Sequence, residues 1–124
     1  MWPTNWKKIE TETPDLLVQC RGYRGQVCEY LIGHGQLLVR FNAPRPLADT
    51  LLYCTGCDVV RFHAYWENAD VRVAISRDNM LPHQRGPIYT ITDGDRLHIE
   101  CRTAALSESR DNVLSMPRLR DATS

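Results

Sequence analysis

Two cysteines separated by two residues are the clearest candidate for chemistry in this chain. Cys54 and Cys57 flank a Thr-Gly pair, and a turn of this kind lets two thiolates reach one metal ion. A structural zinc site needs four ligands, and the sequence has no second CxxC. The missing ligands would have to come from Cys20, Cys28, Cys101 or His63. We therefore expect no cofactor, with zinc at Cys54 and Cys57 as the alternative.

The same motif is a weaker match to a redox pair. Thioredoxin-like chemistry places the first cysteine at a helix N-terminus, which lowers the pKa of its thiol. Here an acid, Asp58, and the strand-like run 59–62 follow the motif. A buried cysteine on a strand usually packs as a small apolar residue, which is the expectation for the other three cysteines.

A second candidate is a surface for binding a partner. Tyr65 and Trp66 are adjacent, and Arg61, His63 and Arg72 lie nearby in the sequence. Tyrosine, tryptophan and arginine are enriched where protein interfaces gain most of their affinity. These five residues are the predicted partner-binding site. The alternative for Trp66 is that it closes one end of the core.

The elements that must position these residues are short strands. Val71, Val73 and Ile75 alternate with polar or small residues, and so do Leu97, Ile99 and Cys101. A period of two places one set of side chains on each face of a strand. The pattern predicts an all-β fold: one antiparallel β-sandwich or partly open barrel of about seven to eight short strands. At most one or two short terminal helices are expected.

Strands are expected over 16–21, 27–32, 36–42, 59–66, 70–76, 88–92 and 95–102, and residues 47–54 are expected to be either a strand or a short turn followed by one. The first two would form a hairpin that places Cys20 opposite Cys28, and 59–66 would pair with 70–76. In the last hairpin the hydrophobic pattern favours Tyr89 opposite Leu97, because register follows the buried face.

One domain is expected, because single cores commonly reach roughly 100–150 residues and the chain has 124. Residues 1–14 are predicted to be an N-terminal arm or short helix, and 15–106 the antiparallel β domain. A polar C-terminal tail is predicted over 107–124.

Charge and hydropathy exclude several partners. The formal net charge is zero, and arginines supply all basic residues except Lys7 and Lys8. They are interspersed with acids, so nucleic acid is not the expected partner. No apolar run reaches the roughly 20 residues that cross a bilayer, so no membrane association is expected. The N-terminus lacks the apolar segment of a signal peptide, and a cytoplasmic location is expected.

No catalytic or nucleotide-binding motif is present: the chain lacks GxSxG, HExxH, P-loop and GxGxxG patterns. The function expected from these observations is a small non-enzymatic protein-binding module, such as an adaptor, inhibitor or immunity-type protein. The alternative is a β-barrel that binds a small molecule or metal. An unpaired edge strand of such a sheet would also allow a homodimer to form by sheet extension.

Overall fold

In a computed structural model, the strands of this chain form two antiparallel sheets that pack against each other. The structure describes residues 6–77 and 86–109. The strands are β1 (Lys7–Lys8), β2 (Arg24–Leu31), β3 (Gln36–Asn42), β4 (Asp49–Thr55), β5 (Val59–Phe62), β6 (Tyr65–Trp66), β7 (Arg72–Ser76), β8 (Ile88–Asp93), β9 (Leu97–Cys101) and β10 (Thr103–Ser109). One helix, α1 (Asp15–Gln19), precedes β2, and a 3-10 turn, Ile32–His34, joins β2 to β3.

The six-stranded sheet has the order β1-β10-β4-β3-β2-β6, and the four-stranded sheet has the order β5-β9-β8-β7. The two sheets do not close into a barrel, so the sandwich is the correct form of the expected all-β fold. Both edges of the larger sheet are strands of only two residues. Short edge strands limit pairing with another chain, and the homodimer stays a prediction.

The core lies between the sheets and follows the predicted alternation. Tyr89, Ile91, Leu97, Ile99 and Cys101 are all at most 2% exposed and share the inner face of β8 and β9. Full burial of one such aliphatic side chain contributes about 1.5–3 kcal/mol.

β3 and β4 are buried on both faces, which explains why their sequences are continuously apolar. Val39 and Leu52 face the four-stranded sheet within the core, and Leu38 and Tyr53 on the opposite face are also buried. Arg40 shares that second face and is only 4% exposed. Its guanidinium lies 2.7 Å from the Asp49 carboxylate, which supplies the partner that a buried charge needs.

The strand predicted over 16–21 is wrong, because this segment contains α1. Pro14 precedes the helix and Asp15 lies in its first turn, where an acid interacts favourably with the helix dipole. Leu17 and Cys20 are each 1% exposed, whereas Val18 is 42% exposed. A buried pair three residues apart is a helical stripe, so Cys20 does not face Cys28 across a hairpin.

The predicted pairing of 59–66 with 70–76 is also wrong. β5 pairs with β9, β6 pairs with β2, and β7 pairs with β8. The chain passes from the smaller to the larger sheet between β5 and β6. Alternation alone identifies strands but does not identify their partners.

In the last hairpin the predicted face is right and the register is wrong. Tyr89 lies opposite Cys101 and Asp93 opposite Leu97, so the turn is 94–96 and not 92–94. A shift of this kind preserves the buried face because side chains alternate with a period of two.

The chain termini differ in part from expectation. β10 continues to Ser109, so the sheet extends past the predicted start of the tail at 107, and residues 110–124 lie outside the described residues. At the N-terminus, β1 pairs with β10, and the Trp6 ring packs 6.0 Å from that of Tyr53. Among the described residues, no helix has the length and apolar character needed to cross a membrane.

Candidate functional site

One end of the sandwich is closed by residues 67–71, which run from β6 in the larger sheet to β7 in the smaller one; we call them the end-cap segment. Ala69 and Val71 point into the core and are 1% and 3% exposed. The Ala69 N–H donates to Tyr23 O at 2.8 Å, and the Gly22 N–H donates to Ala69 O at 2.7 Å. The segment is therefore fixed to the start of β2 by its backbone.

A buried carboxylate organises this end of the molecule. Asp93, at the end of β8, is 2% exposed. Its Oδ2 accepts hydrogen bonds from Trp66 Nε1 at 2.7 Å and from the Asp70 N–H at 2.9 Å. Its Oδ1 accepts a 2.6 Å hydrogen bond from Arg96 Nη2. Charge-assisted bonds of this kind are the strong ones in proteins, so Asp93 joins three elements at one point.

Arg96 extends the same network to the end-cap backbone. Its Nη1 donates to Glu67 O at 2.7 Å, and its Nη2 donates to Asn68 O at 3.3 Å. Asn68 has a φ of 54°, a left-handed conformation that asparagine tolerates better than most residues. The Asp93–Arg96 pair thus holds the backbone of this turn through two carbonyl groups and the Asp70 N–H.

Trp66 is a core residue and does not face a partner. It is 4% exposed, and its ring meets Phe41 edge to face with centroids 6.2 Å apart. A Cβ added at Gly25 would lie 2.5 Å from the indole, so glycine is required opposite the ring. Its predicted role in binding is corrected: Trp66 anchors the end-cap segment, because a large aromatic with a satisfied N–H is most stable when buried.

Tyr65 is the exposed aromatic at this end, with 66% of its surface accessible. It lies opposite Gln26 across the β2–β6 ladder. A recess of about 280 Å³ beside it is lined by Arg24, Gln26, Val27, Ala64 and Tyr65. The predicted tyrosine is therefore presented to solvent beside an arginine.

Three arginines surround the end-cap segment in exposed ion pairs. Arg24 lies 3.2 Å from Glu67, and Asp70 accepts from Arg21 at 3.3 Å and from Arg72 at 3.4 Å. The hydrogen bond from Arg72 lowers the pKa of the Asp70 carboxyl below its usual value. Exposed pairs of this type are screened by solvent and contribute little to stability.

The predicted Arg61 lies away from this group. On one face of the smaller sheet, Arg61, His98, Thr92 and Arg72 follow each other across the four strands. Arg61 and Arg72 therefore occupy opposite edges, about 14 Å apart at the usual strand spacing. His63 is exposed, and its backbone N–H donates to Arg96 O at 2.9 Å. His63 therefore lies closer than Arg61 to the end-cap segment, which Arg96 contacts.

The fold brings a third cysteine to the CxxC motif. Cys54 and Cys101 are 0% and 1% exposed, and Cys57 is half-buried. Cys54 lies opposite Ala104 in the β4–β10 pair, and the Asp58 N–H donates to Glu100 O at 2.8 Å, next to Cys101. Interaction with the neighbouring Cys101 thiol, together with burial, raises the pKa of Cys57, and interaction with the neighbouring Cys54 thiol, together with burial, raises the pKa of Cys101. We call the three residues the thiol cluster.

The other predicted zinc ligands do not join the thiol cluster. The Cys20 thiol donates to Leu16 O at 3.1 Å at the end of α1, and burial raises its pKa to about 11. Cys28 lies in β2, where burial also raises its pKa. Within residues 6–77 and 86–109, no group of three or more His, Cys, Asp or Glu is arranged to hold a metal ion.

Comparisons of the chain with protein-family models, with curated proteins and with solved structures found no match.

Asp93 and Arg96, whose hydrogen bonds hold the end-cap segment, were not identified from the sequence. The only signal was a turn containing Asp-Gly-Asp-Arg, which is usually explained by local backbone bonds.

Proposed function

We propose that this protein is a non-enzymatic protein-binding module whose contact surface is the end cap. The surface comprises Tyr65, Arg21, Arg24 and Arg72 with the exposed residues of the end-cap segment. The observation that carries the proposal is the Asp93–Arg96 network, which fixes Trp66, next to the exposed Tyr65, and the end-cap segment whose acids pair with the three arginines. A rigid contact surface binds more tightly because less conformational freedom is lost on association.

The residue types on this surface favour a protein as the partner. Tyr65 offers a large aromatic contact area, and arginine stacks and forms paired hydrogen bonds with carboxylates. Glu67 and Asp70 alternate with the arginines, which is unlike the continuous basic surface that nucleic acid requires. The expected partner therefore presents carboxylates around an apolar recess for the tyrosine.

A cytoplasmic location is part of the same proposal. All five cysteines are free thiols in the structure. Thiols of this kind are maintained in reducing compartments. The location also suits an adaptor or inhibitor that acts on an intracellular protein.

The test is site-specific crosslinking from the proposed surface. A photoreactive phenylalanine analogue is placed at position 65 in one protein and at position 32 in a control. Ile32 is also exposed, at 77%, but lies in the turn between β2 and β3. We expect one defined protein to be captured from position 65 and not from position 32.

A captured protein is accepted as the partner only if the two purified proteins bind each other. Tyr65→Ala is expected to weaken binding about tenfold or more, as removal of an interface anchor does. Equal capture from positions 65 and 32, or unchanged affinity of Tyr65→Ala, contradicts the proposal.

A further inference from the structure

The smaller sheet ends at a strand that is paired on one side only among the described strands. β7 (Arg72–Ser76) pairs with β8 and is the outer strand in the order β5-β9-β8-β7. The other outer strand, β5, has four residues, and the chain leaves the sheet after it to reach β2, where Ala64 O accepts from the Val27 N–H at 2.9 Å. β7 has five residues and is therefore the longest of the described edges, which are the sites where another strand can pair.

One contact shows which backbone groups of β7 point away from the sheet. The Ile75 N–H is directed at the Glu12 carboxylate, 3.5 Å away, and not at β8. In a strand the N–H and C=O of one residue point to the same side, and successive residues alternate between the two sides. Val73 and Ile75 therefore present their backbone groups to the open edge, and the residues between and beside them bond to β8.

The side chains of β7 leave this edge accessible. Val73 is 4% exposed and Ile75 is half-buried, and both pack in the core between the sheets. Arg72, Ala74 and Ser76 are exposed on the outer face of the sheet. The middle residue of the strand is thus an exposed alanine, whose methyl group does not hinder the approach of a second strand.

We propose that β7 is a dimerisation edge, at which two copies of this chain pair antiparallel about a two-fold axis at Ala74. In this register Val73 of one copy lies opposite Ile75 of the other, and these two residues exchange both of their outward backbone hydrogen bonds. The symmetry of the pair creates the same exchange twice. All five residues of each β7 are paired, which no other symmetric register achieves, and the two smaller sheets become one continuous sheet.

The facing side chains suit a second copy of the chain. Ala74 meets its own counterpart in a non-hydrogen-bonded pair, where opposite Cα atoms are only about 4.5 Å apart, and two methyl groups fit this spacing. Arg72 lies opposite Ser76, so no like charges face each other across the pair. The arginine also arrives beside Glu12 of the other copy, which contacts Ile75 next to that serine. The charges of the two edges are therefore complementary.

The contact that now covers the edge is weak. The 3.5 Å between Ile75 N and Glu12 Oε1 is longer than the roughly 2.7–3.2 Å of an ordinary N–H···O bond, and Glu12 is exposed. A second β7 replaces this contact with a ladder bond. An edge of five residues buries less surface than an obligate dimer interface does, so the dimer is expected to be reversible and to depend on concentration.

The experiment measures the mass of the full-length protein by sedimentation equilibrium over a series of concentrations. The unmutated protein should approach twice the mass of one chain as the concentration rises. Ala74→Glu and Ala74→Lys each place two like charges opposite each other at the axis, and each should weaken dimerisation about tenfold or more. An equimolar mixture of the two variants places opposite charges at the axis and should restore the dimer.

Arg61→Glu is the matched control, because Arg61 is exposed on the same face at the opposite edge of the smaller sheet. This variant should dimerise as the unmutated protein does. Ala74 is not part of the proposed end-cap surface, so failure of the dimer and failure of that surface are separate results.

A second measurement needs no variant. Hydrogen exchange of the Val73 and Ile75 amides in the unmutated protein should slow as the concentration rises, because these amides become bonded in the dimer. The Ala74 amide, which is already directed at β8, should change less.

Three results would overturn the proposal. The first is an unmutated protein that stays monomeric at concentrations up to about 1 mM. The second is a dimer that Ala74→Glu does not weaken or that Arg61→Glu weakens equally. The third is a mixture of Ala74→Glu and Ala74→Lys that is no more dimeric than either variant alone.

Discussion

At the scale of single residues, the Asp93 carboxylate is the main link between separate segments at this end of the sandwich, although the sequence did not mark it as a candidate site residue. One carboxylate accepts from an indole, a backbone N–H and a guanidinium, which belong to three different segments. Its partners Trp66 and Asp70 lie 27 and 23 residues away in the sequence. No local pattern encodes such contacts, so the sequence could indicate a turn at this position but not its connections.

Replacement of Asp93 by alanine should destabilise the fold by about 2–4 kcal/mol, because it leaves the Trp66 indole N–H and the Asp70 N–H without their acceptor and removes the carboxylate paired with Arg96. Asp95→Ala is the matched control, since Asp95 is an exposed acid in the same turn. Urea unfolding measures both variants. Equal losses of unfolding free energy would show that Asp93 has no special role.

Gly25→Ala should also destabilise the protein, by about 1–3 kcal/mol as expected for an overpacked core. The added methyl group would lie 2.5 Å from two atoms of the Trp66 ring. In Gly33→Ala the added methyl group meets nothing within 4 Å, so this variant should unfold at nearly the wild-type urea concentration. A Gly25→Ala protein as stable as Gly33→Ala would mean that the indole is not packed as described.

At the scale of elements, the end-cap segment carries exposed ion pairs whose electrostatics can be measured. The hydrogen bond from Arg72 lowers the pKa of Asp70. A depressed carboxyl pKa means that the folded state favours the charged form. The associated stabilisation is present at neutral pH and is lost as the pH falls through the folded-state pKa.

Arg72→Ala should therefore raise the pKa of Asp70 toward its ordinary value, as followed by NMR of the Asp70 carboxyl carbon. Arg61→Ala is the control, because Arg61 lies at the opposite edge of the smaller sheet. A pKa of Asp70 that is the same in both variants would contradict the Arg72–Asp70 pairing.

The elements also show what the sequence could predict. Alternation located β8 and β9 and their buried face, because both strands have one face in the core. α1 was missed, because three adjacent apolar residues, Leu16 to Val18, suit either a strand or a short buried helix. The partners of β5 and β7 could not be predicted, because strand pairing is decided by packing of the two sheets rather than by local pattern.

At the scale of the whole molecule, the end cap and the thiol cluster lie at opposite ends of β9. The strand begins with Leu97, next to Arg96, and ends at Cys101. Four residue steps along a strand span about 13 Å, and the two groups share no hydrogen-bond partner among the described contacts. We therefore treat them as independent sites.

Independence predicts that the stability losses of Asp93→Ala and Cys57→Ser add in the double variant to within about 0.3–0.5 kcal/mol, as for distant sites. The measurement is urea unfolding of the two single variants and the double variant. A larger coupling energy would show that the two ends of the sandwich are linked through β9.

The positions of the proposed partner-binding residues could not be predicted, because the hairpin expected to carry them does not form. Tyr65 and Arg72 border the end-cap segment, whereas Trp66 is buried in the core and Arg61 lies at the opposite edge of the smaller sheet. The pattern of aromatic and arginine residues indicates a surface composition. The pattern does not show which of these residues become buried, or which become distant from one another, when the chain folds.

The most direct test of the binding surface is the affinity of the captured protein for two charge-reversal variants, Arg72→Glu and Arg61→Glu. Both replace an exposed arginine on the same face of the smaller sheet, but only Arg72 borders the end cap. We predict that Arg72→Glu weakens the affinity about tenfold or more, whereas Arg61→Glu binds as the unmutated protein does. Equal affinities for the two variants, or a larger loss for Arg61→Glu, would contradict the end cap as the contact surface.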